Sequence, residues 1–205
     1  MTPKQAARLR QQITAIRRTL AAEKKKFGGY DDSRGLRYLS TRYYVQLADF
    51  AGGLTYTRWF AKNFPDDAGF PDFLFEWTFI LFERGKLQQA EQQAFATFCA
   101  DRQLFEHLLA RPLTPAEPWE EAPLPAASYA AYFASLGPPP RFAAFTQWLA
   151  GWLSTERFTH RAAQYERLQQ LLQGESDVAK RHALWDQIGQ VTAATWVPSA
   201  KGVGH

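Results

Sequence analysis

Apolar residues recur along most of the chain at the spacing of three and four residues that is typical of amphipathic helices. The first such seam is formed by Ala6, Leu9, Ile13, Ile16 and Leu20. Thr2 can cap that helix, and Pro3 suits its first turn. No convincing segment alternates apolar and polar residues with hairpin turns between, as paired strands would. The pattern therefore predicts an all-α fold.

The same spacing predicts further helices, over about 34–47, 51–63, 72–84, 86–99, 104–109 and 126–136. A long apolar stripe then runs from Phe142 to Leu172 with a bend near Ser154, and a last helix carries Val178 to Val191. The helix over about 72–84, which Asp72 could cap, is apolar almost all round. We therefore expect other helices to cover most of its sides.

Residues 112–125 contain five prolines, which excludes a regular helix there. Three interpretations stay open: an ordered surface connection packed through Trp119, a flexible interdomain linker, or a segment bound by a proline-reading partner. This proline-rich connection separates helical hairpins over 34–111 from a C-terminal helical region over 126–197. A flexible tail is predicted over 198–205.

The formal net charge of +4 hides an uneven distribution. Residues 1–26 form a basic amphipathic helix with eight cations, Lys4, Arg8, Arg10, Arg17, Arg18, Lys24, Lys25 and Lys26. Glu23 is its single acid, so this arm carries +7 and the rest of the chain −3. The arm could be a solvated face on a docked helix, a surface for self-association, or a contact for nucleic acid or an anionic membrane.

Composition narrows the class of protein. With 205 residues, 46% of them hydrophobic and 21% charged, the chain fits a folded domain with a real core. No window of about 18 uncharged apolar residues occurs, so we expect no membrane span. The beginning lacks the apolar centre of a secretory signal, and the single cysteine, Cys99, excludes an intrachain disulfide. We therefore expect a cytoplasmic protein.

One helical hairpin pattern occurs twice, 37 residues apart. At this offset Thr41 matches Thr78, Tyr44 matches Leu81, Ala48 matches Gly85, Phe50 matches Leu87, and Gly53 matches Ala90. A period of about 20–50 residues is typical of stacked helix–turn–helix units, which present surfaces to partners. The small Gly53 and Ala90 would let neighbouring helices approach closely, and Phe50 and Leu87 would fill the joint between them.

The two turns, Ala48-Asp49-Phe50-Ala51-Gly52-Gly53 and Gly85-Lys86-Leu87-Gln88-Gln89-Ala90, resemble the turn of tetratricopeptide repeats. Pro65 stands where that family has its closing proline. The likeness covers about residues 34–101, roughly a third of the chain. The chain departs from the family at Phe60 and Thr97, where a small residue is usual, and at Arg102, which replaces the second closing proline. The alternative is an unrelated helical bundle.

The resemblance implies a peptide-binding groove formed by the first helix of each unit. Its residues would be Tyr38, Arg42, Val45, Gln46, Phe75, Phe79, Phe82 and Glu83. Such an aromatic groove, edged by Arg42 and Glu83, would suit an apolar helix or an extended peptide. Alternatively, another helix of the chain covers the phenylalanines, because an apolar patch of this size is seldom left bare.

Residues suited to catalysis are sparse. The four histidines are scattered without metal-binding spacing, and no glycine-rich phosphate loop occurs. Glu76 is a candidate buried carboxylate, but one acid makes no mechanism. We expect no enzyme, no cofactor and no metal. We expect an all-α, tetratricopeptide-like scaffold or adaptor that binds a protein or peptide; the alternative is a nucleic-acid-associated protein acting through residues 1–26.

Overall fold

The computed structural model describes residues 1–30, 32, 34–119 and 125–193. Within these ranges the predicted all-α fold is confirmed: there are ten α-helices, one 3-10 helix and no strand. The helices are α1 (Pro3–Phe27), α2 (Leu36–Leu47), α3 (Phe50–Asn63), α4 (Pro71–Glu83), α5 (Leu87–Ala100), α6 (Arg102–Leu108), α7 (Ala126–Leu136), α8 (Ala143–Leu153), α9 (Glu156–Gly174) and α10 (Val178–Ala193), with the 3-10 helix Pro139–Phe142 before α8.

The basic helix α1 begins as its pattern predicts, and its apolar seam docks on the chain itself. Thr2 and Gln5 form a capping box, in which the amide of Gln5 donates to the Thr2 hydroxyl at 3.2 Å and the amide of Thr2 donates to the Gln5 side chain at 2.8 Å. The apolar seam then buries Ile13, Ile16 and Leu20 as α1 packs along α2. Docking of this seam is therefore internal to the chain.

The α2–α3 and α4–α5 hairpins close with equivalent hydrogen bonds. The amide of Asp49 donates to the carbonyl of Tyr44 at 3.0 Å, and the amide of Lys86 donates to the carbonyl of Leu81 at 2.9 Å. These bonds satisfy carbonyls that the last turn of a helix would leave open. Both donors and both acceptors are 37 residues apart, so the offset read from the sequence also relates the two backbones.

The turns and the tight contacts follow the same offset. Ala48 and Gly85 both adopt the left-handed conformation that ends a helix, with φ of 54° and 65°. Gly53 and Ala90 are both buried. A β-carbon at Gly53 would lie 2.9 Å from the Cδ1 of Ile80, so a larger residue there would force the buried Ile80 side chain to move.

Helix α4 lies at the centre of the molecule. Its buried side chains are Phe73, Leu74, Phe75, Glu76, Thr78, Phe79, Ile80 and Leu81, and it contacts α2, α3, α5 and α8. The expected covering on most sides is therefore confirmed. The expected cap position is wrong: Phe70 occupies the N-cap position and Pro71 opens the helix. Asp72 lies within the first turn, where its carboxylate accepts from the amide of Phe73 at 2.9 Å and also contacts Arg42.

The remaining helices wrap around the hairpins. Helix α7 contacts α6 and α2, α8 contacts α4, and the α9–α10 pair packs against α5 through α10. One hydrophobic cluster runs through all of them, from Val45 and Phe75 to Phe145, Leu168 and Ile188. The C-terminal helices therefore share a core with the hairpins.

The described part of the proline-rich connection is held against α6. The carboxylate of Glu106 accepts from the amide of Thr114 at 2.8 Å, and the side chain of Gln103 donates to the carbonyl of Thr114 at 2.8 Å. Trp119 is half-buried. The interpretation as an ordered surface connection therefore fits residues 112–119. Asp31, Ser33, residues 120–124, and residues 194–205 with the predicted tail lie outside the described ranges.

Candidate functional site

The predicted groove is filled by the chain itself. Phe75 and Phe79 are 0% exposed, and Phe82 is half-buried. The ring centroid of Phe75 lies 5.2 Å from that of Phe133 on α7, and the centroid of Phe79 lies 4.9 Å from that of Phe142 in the 3-10 helix. Helices α7 and α8, with the 3-10 helix between them, therefore occupy the face that a peptide would have used.

The prediction of an open aromatic groove is therefore wrong for these residues. As in the alternative interpretation, other helices of the chain cover them. Phe82 packs on Trp148 with ring centroids 5.2 Å apart, and Val45 is 0% exposed. The physical reason is the apolar stripe of α8, which needs an apolar face to cover it. Glu83 is the exposed exception at the end of α4.

Arg42 lies in a polar cluster between α2, α4 and α7 rather than at a groove edge. Its Nε donates to the carboxylate of Glu76 at 3.0 Å, and its guanidinium also contacts Asp72. The hydroxyls of Thr41 and Tyr132 donate to the same Glu76 carboxylate at 2.6 and 3.3 Å. The cluster joins the first helices of both hairpins to α7.

Burial dominates the electrostatics of this cluster. Glu76 is 1% exposed, and burial raises the pKa of its carboxyl to about 8 against the opposing charge of Arg42. Burial likewise raises the pKa of Tyr132. Glu76 was expected to be a buried carboxylate, and that prediction is confirmed. Thr41 is fully buried and Tyr132 packs against the main hydrophobic cluster, so the polar cluster has the character of a structural joint.

Tyr38 belongs to a second polar cluster, at the beginning of α2. Its hydroxyl donates to the carboxylate of Asp67 at 2.6 Å, and Arg37 donates to the same carboxylate at 2.7 Å. Burial and the Asp67 bond raise the pKa of Tyr38 to about 12. Burial alone would raise the pKa of Asp67, but the hydrogen bonds from Tyr38 and Arg37 lower it. Asp32 caps α2 by accepting from the amides of Leu36 and Arg37.

Gln46 is the predicted groove residue that lines an open space. Its side-chain amide donates to the carbonyl of Ser135 at 2.9 Å, which ties the end of α2 to the end of α7. Beside this bond lies a cleft of about 420 Å³, lined by Met1, Gln5, Arg8, Leu9, Gln12, Gln46, Ser135, Leu136, Gly137, Pro138 and Arg141. Its volume falls in the range of about 300–1,000 Å³ that is usual for small-molecule and cofactor sites.

Arg141, which sequence reasoning missed, also lines this cleft. Its Nη1 donates to the carbonyls of Leu136 at 2.7 Å and Val45 at 2.9 Å, so one guanidinium holds the C-terminal ends of α7 and α2 together. A β-carbon at Gly137 would lie 2.9 Å from that nitrogen. The signal in the sequence was a glycine and three prolines directly before an arginine.

The eight cations of α1 are all exposed, and within the described residues none of them forms an ion pair with a carboxylate. The buried seam cannot coil with a second protein while it packs on α2. Helix α1 is therefore docked on α2 through its apolar seam, and self-association through that seam would require α1 to detach. Contact with phosphates stays a prediction.

Other chemistry is limited among the described residues. No group of three or more histidine, cysteine, aspartate or glutamate side chains is placed to hold a metal ion there. Burial raises the pKa of the Cys99 thiol, which keeps it protonated and weakly nucleophilic. Across the same part of the chain, every helix is too short or too polar to cross a bilayer.

The chain was compared with known proteins at three levels. No family model, no curated protein and no solved structure matches it.

Proposed function

We propose that this protein is a non-enzymatic scaffold that binds a protein or peptide partner, built on two tetratricopeptide-like hairpins. The observation that carries the proposal is the open cleft at the C-terminal end of α2, the first helix of the first hairpin. Gln46 on its wall belongs to the set that the family resemblance implies for ligand contact. The single cysteine fits a reducing compartment such as the cytoplasm.

The packing of the hairpins supports the resemblance. Helix α4 contacts both α2 and α3, so the first helix of the second unit packs on both helices of the first. The turns match in hydrogen bonding and in the left-handed residue at the end of the first helix. The unit departs from the family in its filled aromatic face, because α7 and α8 take the place of a ligand there. Binding therefore shifts to the rim of that face, where the cleft lies.

Affinity capture with a blocked cleft tests this proposal. Ser135→Trp places a large side chain on the cleft wall, whereas Ala134→Trp adds the same side chain at an exposed neighbour outside the lining. We expect a partner captured from native lysate by the wild type and by Ala134→Trp, and lost with Ser135→Trp, as measured by quantitative mass spectrometry. Absence of any reproducible partner would contradict the scaffold proposal. Equal capture by both variants would move the binding site elsewhere.

A second candidate function is favoured by the exposed cations of α1. Its eight exposed cations have no carboxylate partners among the described residues, which suits a phosphate backbone. A gel-shift assay with labelled oligonucleotides would then show binding that weakens steeply as salt increases. The double variant Arg10→Glu, Arg18→Glu should abolish the shift. No shift at low salt would exclude this candidate.

A further inference from the structure

The cleft between α1, α2 and α7 has one sign of charge. Two arginines, the exposed Arg8 and the half-buried Arg141, belong to its lining, and no acidic residue does. Burial raises the pKa of Glu83, and the nearby charge of Arg141 opposes that effect. Glu83 itself is not part of the lining. Such a concave, positively charged site attracts an anionic group.

Arg141 is held ready for an anion. Because its Nη1 bonds to carbonyls of Val45, Gln46 and Leu136, the guanidinium is fixed in place without a carboxylate partner. Within the described residues its Nε and Nη2 form no hydrogen bond. A carboxylate that reached them would gain a charge-assisted bond with little loss of side-chain entropy.

The other lining residues indicate which kind of molecule would carry the anionic group. Leu9, Leu136 and Pro138 are apolar, and Gln5 and Gln12 offer amides that can bond to a peptide backbone. A nucleic-acid backbone would make few favourable contacts with these apolar side chains. It would instead bind the exposed α1 cations, most of which lie outside the cleft lining. The mixture therefore favours a short peptide with an acidic side chain among apolar ones.

We propose that this cleft binds an acidic, partly apolar segment of a partner protein, with a carboxylate of that segment between Arg8 and Arg141. This inference rests on the scaffold function proposed above and names the chemistry of the partner. Since one peptide carboxylate contributes fewer charges than a phosphate backbone, salt should weaken its binding much less than it weakens binding of a polyanion.

Selection of peptides from a random phage-displayed library, with the Ser135→Trp protein used for depletion, tests the chemistry directly. We expect the retained peptides to share aspartate or glutamate flanked by apolar residues. Retained peptides without a common acidic position would overturn the proposal, and so would failure to retain any peptide. Capture of a cleft-dependent partner from lysate would still support the scaffold function in either case.

A matched pair of charge reversals then tests the site. Arg8 lines the cleft, whereas Arg10 is an equally exposed cation of the same helix that lies outside the lining. For a fluorescein-labelled synthetic peptide from the selection, anisotropy titration should give a Kd at least about tenfold weaker with Arg8→Glu. With Arg10→Glu it should change by less than about twofold. Equal weakening by both reversals would overturn the proposal in favour of diffuse polyanion binding by α1.

Discussion

The two hairpins, α2–α3 and α4–α5, close with the same hydrogen bonds at positions 37 residues apart, yet their first helices have different surroundings. Helix α4 is enclosed by α2, α3, α5 and α8, and its phenylalanines are buried. Helix α2 is covered by α1 and α7 but borders an open cleft at its C-terminal end. A repeated sequence thus specifies a repeated hairpin, while the elements outside the repeat decide which hairpin keeps an accessible surface.

The strongest test of the matched hairpins concerns Ala90, the counterpart of Gly53. Ala90→Arg puts a charge without a partner into a fully buried helix contact, so we expect it to destabilise the protein by about 4 kcal/mol or more. Gln89→Arg, at the exposed neighbouring position, should change the free energy of unfolding by less than about 0.5 kcal/mol. Equal melting temperatures for the two variants would mean that Ala90 does not form the joint.

A second test separates the hairpins at their turns. Phe50 is half-buried, with its ring centroid 5.5 Å from that of Phe79, whereas the matched Leu87 is 46% exposed. The prediction that both residues fill the joint is therefore wrong for Leu87. Phe50→Ala should cost about 2 kcal/mol of stability, and Leu87→Ala less than about 0.5 kcal/mol, in denaturant unfolding. Similar losses of stability at both positions would mean that Leu87 fills its joint as Phe50 does, contrary to their different exposure in the structure.

A third test concerns the buried acid that joins the first helices. Because burial raises the folded pKa of Glu76 to about 8, its contribution to stability is complete below its unfolded pKa and is lost as pH rises through about 8. Between about pH 5 and pH 8 the wild type should therefore lose more than about 1 kcal/mol relative to Glu76→Gln. Parallel stability profiles would show that Glu76 is ionised in the folded protein at both pH values.

The smallest effect is expected at two helical glycines. A β-carbon at Gly53 would lie 2.9 Å from the Cδ1 of the buried Ile80, so Gly53→Ala should destabilise the protein by about 1 kcal/mol. Gly151, in α8, has open space around it, and Gly151→Ala should stabilise the protein by about 0.5–1 kcal/mol. A gain in melting temperature from both substitutions would show that α3 and α4 are not in tight contact.

Much of the local architecture could be predicted because its causes are local. The cap at Thr2, the break near Ser154, the helix of residues 126–136 and the 37-residue offset depend on residues close together in the chain. The cap at Asp72 was wrong because Phe70 and Pro71 open the helix earlier, which leaves the Asp72 carboxylate beside Arg42.

The site was harder to predict because several of its residues depend on distant segments. The spacing of apolar residues on a helix face is the same whether a partner or another helix covers that face. The burial of Phe75 and Phe79 by this chain could therefore not be predicted from their spacing. The role of Arg141 depends on carbonyls of α2 that lie about 95 residues earlier in the chain. The glycine and three prolines before Arg141 indicate a break between helices, but not which carbonyls the arginine binds.

Helix periodicity, capping and charge are properties of neighbouring residues, so the amino-acid pattern alone specifies the helices, their paired turns and the concentration of positive charge in the first helix. That α7 and α8 fill the aromatic face, and that the ends of α2 and α7 meet at Arg141 beside a positively charged cleft, depends on how distant segments pack together. Apolar burial is non-directional, so a helix face accepts any cover of suitable shape, and which cover it receives depends on the path of the whole chain.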